Sequence, residues 1–169
     1  VTFILSAILI LAWLNLSNDV FDADTGIDVN KAHSIVNLTG NKSLIFWLSN
    51  LFLLLGIAGI FAISGIAVAL AGVLAFRRAN TTVDPRVPQQ SSSLVIRGIY
   101  RYSRNPMYVG FLLLLAAWAF YLSSAAALAL LPLFVLYMNR FQIAPEERHL
   151  LQKFGADYQA YCEKVRRWL

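Results

Sequence analysis

The chain of 169 residues is 59% hydrophobic and only 14% charged, against roughly half apolar and a quarter charged in soluble domains, so a water-soluble fold is excluded and a bilayer is the expected solvent. The 14 Lys and Arg against 9 Asp and Glu do not argue for a nucleic-acid partner, because basic residues in a membrane protein chiefly mark its cytoplasmic loops. A single cysteine, Cys162, excludes an internal disulfide and any cysteine-rich metal site.

Residues 1–16 form the first apolar stretch. It is short against the ~20 residues of a span, and is expected to be completed by residues preceding Val1. Residues 17–43 are polar, carry Asp19, Asp22, Asp24 and Asp28 against Lys31 and Lys42, and read as an extracytoplasmic loop. These aspartates do not make a calcium loop of the EF-hand kind, since Ile27 and His33 stand where Gly and Glu are needed. His33 and His149 fall on opposite expected sides of the membrane, so a histidine metal site is not expected. Residues 44–76 are apolar throughout. As one helix they would measure about 50 Å against a hydrocarbon core of about 30 Å. Two separate spans would each be too short, so one tilted or kinked helix is expected, with Gly56, Gly59, Ser64 and Gly65 as bend points or close helix contacts.

Residues 77–105 form the most basic loop, with Arg77, Arg78, Arg86, Arg97, Arg101 and Arg104 against the single acid Asp84. Residues 106–139 read as a helical hairpin turning at Ser123-Ser124, with Pro132 predicting a kink or local opening. Residues 140–169 are mixed in charge and belong at the membrane surface. The positive-inside rule places the basic loop and both termini in the cytoplasm. The expected fold is therefore all-α: one domain, a polytopic membrane helical bundle of about four transmembrane helices plus a cytoplasmic amphipathic C-terminal segment.

Three groups of residues can carry chemistry. Asn105 suits an N-cap and Pro106 the first helical position, so a helix start beside Arg104 can hold a carboxylate or phosphate; the competing role for this Arg- and Tyr-rich stretch is interface anchoring. Pro145 opens a helix whose first turn holds Glu146 and Glu147, with Gly155 able to end it. Those two acids either complement the helix dipole or face a cationic or hydroxyl-bearing ligand. Tyr158, Tyr161 and Val165 recur at helical spacing among Glu163, Lys164, Arg166 and Arg167, the mark of an interfacial helix, although a tyrosine face can also line a pocket.

The order Phe76-Arg77-Arg78, Thr81-Thr82-Val83-Asp84-Pro85, Leu94-Val95, Gly98-Ile99-Tyr100-Arg101, Ser103-Arg104-Asn105-Pro106-Met107-Tyr108, Glu146-Glu147, Phe154-Gly155, Tyr158, Tyr161, Val165 resembles the isoprenylcysteine carboxyl methyltransferase and phospholipid methyltransferase superfamily. The resemblance covers residues 65–169. It implies S-adenosylmethionine as methyl donor, S-adenosylhomocysteine as product, and a lipophilic acceptor reaching the site from the membrane lipid. On this resemblance Arg104, Asn105 and Tyr108 are expected at the catalytic centre, with Arg104, Tyr108, Glu146, Glu147, Tyr158 and Tyr161 binding the cofactor and no metal taking part. The acceptor expected is an isoprenylcysteine-like carboxylate, a thiol or a lipid amine. Asn105 stands where the superfamily often has His, so a base role for that His does not transfer, and Arg166 stands where the eukaryotic carboxyl methyltransferases have Pro. Both departures suggest a prokaryotic-type member. The alternatives are a membrane reductase of the sterol reductase type, which would use a nicotinamide cofactor, and a non-enzymatic scaffold whose basic loop binds anionic lipid.

Overall fold

A computed structural model describes residues 2–26, 33–79 and 93–169, and among these every regular element is helical. The expectations involving Ile27, Asp28, Lys31, residues 81–85 and Arg86 lie outside the described residues. The chain divides into two compact units, Val1–Ile63 with Ala117–Ser124, and Ser64–Ala116 with Ala125–Leu169.

In the first unit, α1 (Thr2–Thr25) packs on the early part of α3 (Lys42–Arg78). Small residues set the closeness of this contact. A Cβ on Gly56 would lie 2.7 Å from Ile10 Cγ1, and one on Gly59 would overlap the buried Ser6 hydroxyl. The expected loop over residues 17–43 is corrected here, because α1 runs on to Thr25 and a short helix α2 (Ile35–Thr39) follows. Leu16 and Val20, four residues apart, keep the helical stripe going after the continuous apolar run has ended. They pack with Val36, Ile45 and Leu48. Polar side chains close the corner: Asp19 Oδ2 accepts from Ile35 N at 2.7 Å, Ser34 caps α2 by accepting from Asn37 N, and Lys42 pairs with Asp24. Gly40, at φ 63°, ends α2 with its N–H on Val36 O, the left-handed cap that glycine adopts without cost. At the end of α4 (Pro106–Tyr121), Ser123 N and Ser124 N donate to Phe120 O and Ala119 O. The tight turn expected at these two serines is present.

In the second unit, the later part of α3 meets the start of α4 backbone to backbone. A Cβ on Gly65 would lie 2.8 Å from Gly110 O, and one on Gly110 would lie 2.7 Å from Gly65 O. α3 is a single helix of 37 residues, as expected, spanning about 55 Å at 1.5 Å per residue, with the glycines serving as contacts. A 3₁₀ turn over Gly98–Arg101 leads into α4, with Tyr100 edge-on to Phe76. Pro106 takes the first helical position.

After the Ser123-Ser124 turn in the chain, α5 (Ala125–Ala129) and α6 (Leu131–Tyr137) are separated at Leu130, whose N–H reaches back to Ala127 O. This is the local opening expected of Pro132. A π-helical turn, Met138–Ile143, joins α6 to α7 (Ala144–Lys164). Gly155, at φ 50° and ψ −122°, breaks α7 into two helical pieces.

Thr2–Thr25, Lys42–Arg78 and the stretch Ala125–Lys164 are long and apolar enough to cross a membrane, and α4 is a shorter apolar helix. Phe3, Leu11, Trp47, Leu70, Leu133 and Leu136 are all exposed. In water so much apolar surface would drive aggregation; against lipid tails it is the natural exterior.

Candidate functional site

The expected site residues meet in the second unit, where the start of α4, the start of α7 and the C-terminal tail come together. The backbone does the gathering. Arg104 N donates to Arg166 O at 3.0 Å, and Asn105 Nδ2 donates to Arg167 O at 2.9 Å. Asn105 thus holds the position before Pro106, its carbonyl accepting from Val109 N, while its side-chain amide ties down the tail.

Two carboxylates, adjacent in sequence, have different surroundings. Glu147 sits between two guanidiniums: Arg104 Nη2 is 3.0 Å from Oε1, and Arg167 donates through Nε at 3.0 Å and Nη2 at 2.5 Å. This bidentate fork is the strongest geometry for such a pair, and it raises the Arg167 pKa above its ordinary value. Arg104 and Glu147 are largely shielded, with side chains 14% and 19% exposed. Glu146 instead accepts from neutral donors on one oxygen, Tyr108 Oη at 2.8 Å and Gln142 Nε2 at 2.6 Å. The Arg104–Glu147–Arg167 group therefore sets two guanidiniums on one carboxylate, whereas the hydrogen-bond partners of Glu146 are neutral.

One buried polar atom among the described side chains has no hydrogen-bond partner, the Nε of Arg104. An unmade donor in a shielded guanidinium costs stability.

Tyr158 and Tyr161 are core residues, 4% and 8% exposed, packed with Val165, Leu94, Leu150, Phe154 and Cys162. Tyr161 Oη donates to Tyr100 O at 2.7 Å. Burial, with the neighbouring Tyr161, raises the Tyr100 pKa far above the usual phenol range, so its hydroxyl stays protonated. The two tyrosines wall the ionic cluster and present no open face.

Sequence reasoning gave no site role to Gln142, Arg167, Asn139 or Trp168. The π turn presents Gln142 to Glu146, and Asn139 accepts from Trp168 Nε1 at 2.9 Å. A π turn inside an α-helix frequently marks a functional position. The Gln142–Glu146 spacing of four was a usable signal; Arg167 had none, since its partner lies twenty residues away. No group of three or more His, Cys, Asp or Glu among the described residues is arranged to hold a metal ion.

The fold is thus an all-α membrane one, with a shielded ionic cluster at the start of an apolar helix. The chain belongs to the phospholipid methyltransferase family, which it matches over residues 51–157. It is also 68% identical over 62 residues to a 2-carboxy-1,4-naphthoquinone phytyltransferase of Synechocystis, covering 37% of this chain and 20% of that protein. A chloroplastic protein of the same description from Arabidopsis thaliana is 52% identical over 60 residues, 36% of this chain and 16% of that one. An uncharacterized protein of Haemophilus influenzae is 48% identical over 63 residues, 37% of this chain and the whole of that protein. The matched stretches thus span a fifth or less of the two phytyltransferases. No solved structure matches the chain.

Proposed function

We propose that this chain transfers a methyl group from S-adenosylmethionine to a lipophilic acceptor in the membrane. The observation that carries the reading is the pairing of an anion-favouring cluster, with its unspent Arg104 Nε, and the separate carboxylate of Glu146, within a chain of the phospholipid methyltransferase family. The cofactor bears a carboxylate, an ammonium, a ribose diol and a sulfonium, and the residues fit that set. Arg104 offers its buried N–H to the carboxylate. Glu147 orients Arg104 and has room in its lone pairs for a hydroxyl. Glu146 suits the ammonium, and the ring of Tyr108 suits a cation. Tyr158 and Tyr161 support the cluster from behind.

When bound, the cofactor supplies a methyl group already activated on sulfur. The protein's part is then positioning and the exclusion of water. Arg104, Asn105 and Tyr108, which open α4, are the residues we assign to the reacting centre, and the tail held by Asn105 closes over them. The site lies on the cytoplasmic side in this reading, with both termini there.

A second reading rests on the 68% identity to a phytyltransferase: the chain would take part in attaching a phytyl group to a carboxylated naphthoquinone. Product analysis separates the two. Membranes containing the protein are incubated with isotopically methyl-labelled S-adenosylmethionine, extracted lipids, a carboxylated naphthoquinone and a phytyl diphosphate as phytyl donor, with a nicotinamide cofactor as control. A lipid product heavier by one labelled methyl group supports methyl transfer. Label absent from every lipid, with a naphthoquinone gaining a phytyl chain, supports the second reading.

A further inference from the structure

A second concavity lies in the same unit, outside the Arg104–Glu147 cluster. It is a cavity of about 780 Å³ between the last turns of α3 and residues 93–99, within the roughly 300–1,000 Å³ range of small-molecule sites. Leu74, Ala75, Leu94 and Ile96 furnish an apolar lining, and Arg78 and Arg97, both exposed, stand among them. Ser93 Oγ donates to Ala79 O at 3.3 Å and closes one edge. Arg77 and Arg78 end α3, so the cavity lies where an apolar helix gives way to a charged end. A lipid has the same order of properties: an apolar chain beside the span and an anionic head at its end.

We infer that this cavity is a binding site for a membrane lipid with an anionic headgroup, whose chain lies against Leu74, Ala75, Leu94 and Ile96 and whose head pairs with Arg78 and Arg97. Charge complementarity is joined here to an apolar wall. Clustered arginines at a membrane surface favour anionic lipid, and the two guanidiniums here flank a cavity able to hold a chain. The inference does not rest on methyl transfer. Leu94 faces both the cavity and the Tyr158–Tyr161 core, so an occupied cavity would buttress the wall of the ionic cluster.

The test is a binding titration of the purified full chain in neutral detergent with phosphatidylglycerol, phosphatidylcholine and inorganic phosphate. Saturable binding of phosphatidylglycerol is expected, weakened by salt, with phosphatidylcholine much weaker and phosphate alone unable to compete. Arg78→Gln with Arg97→Gln should weaken it roughly thirtyfold. Ala75→Phe, which fills the cavity and keeps both charges, should do the same, and it answers the question if the arginine pair proves necessary for folding. Arg140→Gln with Arg148→Gln, exposed arginines elsewhere, should change nothing. Equal binding of the two lipids overturns the inference, as does unaltered binding in Ala75→Phe, equal loss in the Arg140 and Arg148 variant, or competition by phosphate alone.

Discussion

Arg104 and Glu147 meet at 3.0 Å although 43 positions separate them in the chain, and their shielding gives single-atom changes large effects. Glu147→Gln keeps the shape but leaves two guanidiniums facing each other without a carboxylate. Folded protein carrying it is expected to lose most affinity for S-adenosylhomocysteine, and calorimetric titration would show this; full affinity would remove Glu147 from the site. Tyr161→Phe deletes only the hydroxyl that donates to Tyr100 O. Its expected cost is about 1 kcal/mol, the usual net value of one buried hydrogen bond, read from thermal unfolding in detergent. At this scale the sequence disclosed which residue types mattered and not how they pair. Arg104, Tyr108, Glu146 and Glu147 stand out because charge and phenol are rare in an apolar chain. The fork from Arg167 and the tail bond from Asn105 span 20 and 62 positions, and no local pattern encodes them.

Helices were legible wherever hydropathy or proline marks them, and less so where polarity interrupts. α3, the Ser123-Ser124 turn, the opening before Pro132 and the start of α4 at Pro106 all follow from local chemistry. α1 outran its expected end because Asn18, Asp19 and Asp22 lower hydropathy without breaking a helix, and the Leu16–Val20 pair maintained packing. The glycine contacts were anticipated as a class, and the structure supplies the distances. Gly110→Leu places a branched side chain where even a Cβ would meet Gly65 O at 2.7 Å and Ala69 at 2.8 Å. Backbone on both sides leaves no flexible group to yield. The variant is expected to lose about 1–3 kcal/mol or more, the range for overpacking, seen as a lower unfolding temperature; an unchanged temperature would mean that α3 and α4 do not approach so closely.

For the whole molecule, composition and the long apolar runs pointed to an all-α membrane protein, and the family match over residues 51–157 takes in the motifs of the resemblance from Phe76 to Gly155. Sidedness rests on the arginines around α3 and α4 and is a matter for labelling. With Cys162→Ser as background, Glu163→Cys places a thiol at an exposed position near the end of α7. A membrane-impermeant maleimide should label it in inverted vesicles and not in intact cells, and the opposite pattern would reverse the proposed topology. In the proposed function the Arg104–Glu147 cluster, with Glu146 and Tyr108, binds the methyl donor. The decisive measurement is calorimetric titration of the detergent-purified chain with S-adenosylhomocysteine, beside a nicotinamide cofactor: saturable binding of the former alone, lost in Glu147→Gln, is expected, whereas folded protein that binds no S-adenosylhomocysteine would rule this site out.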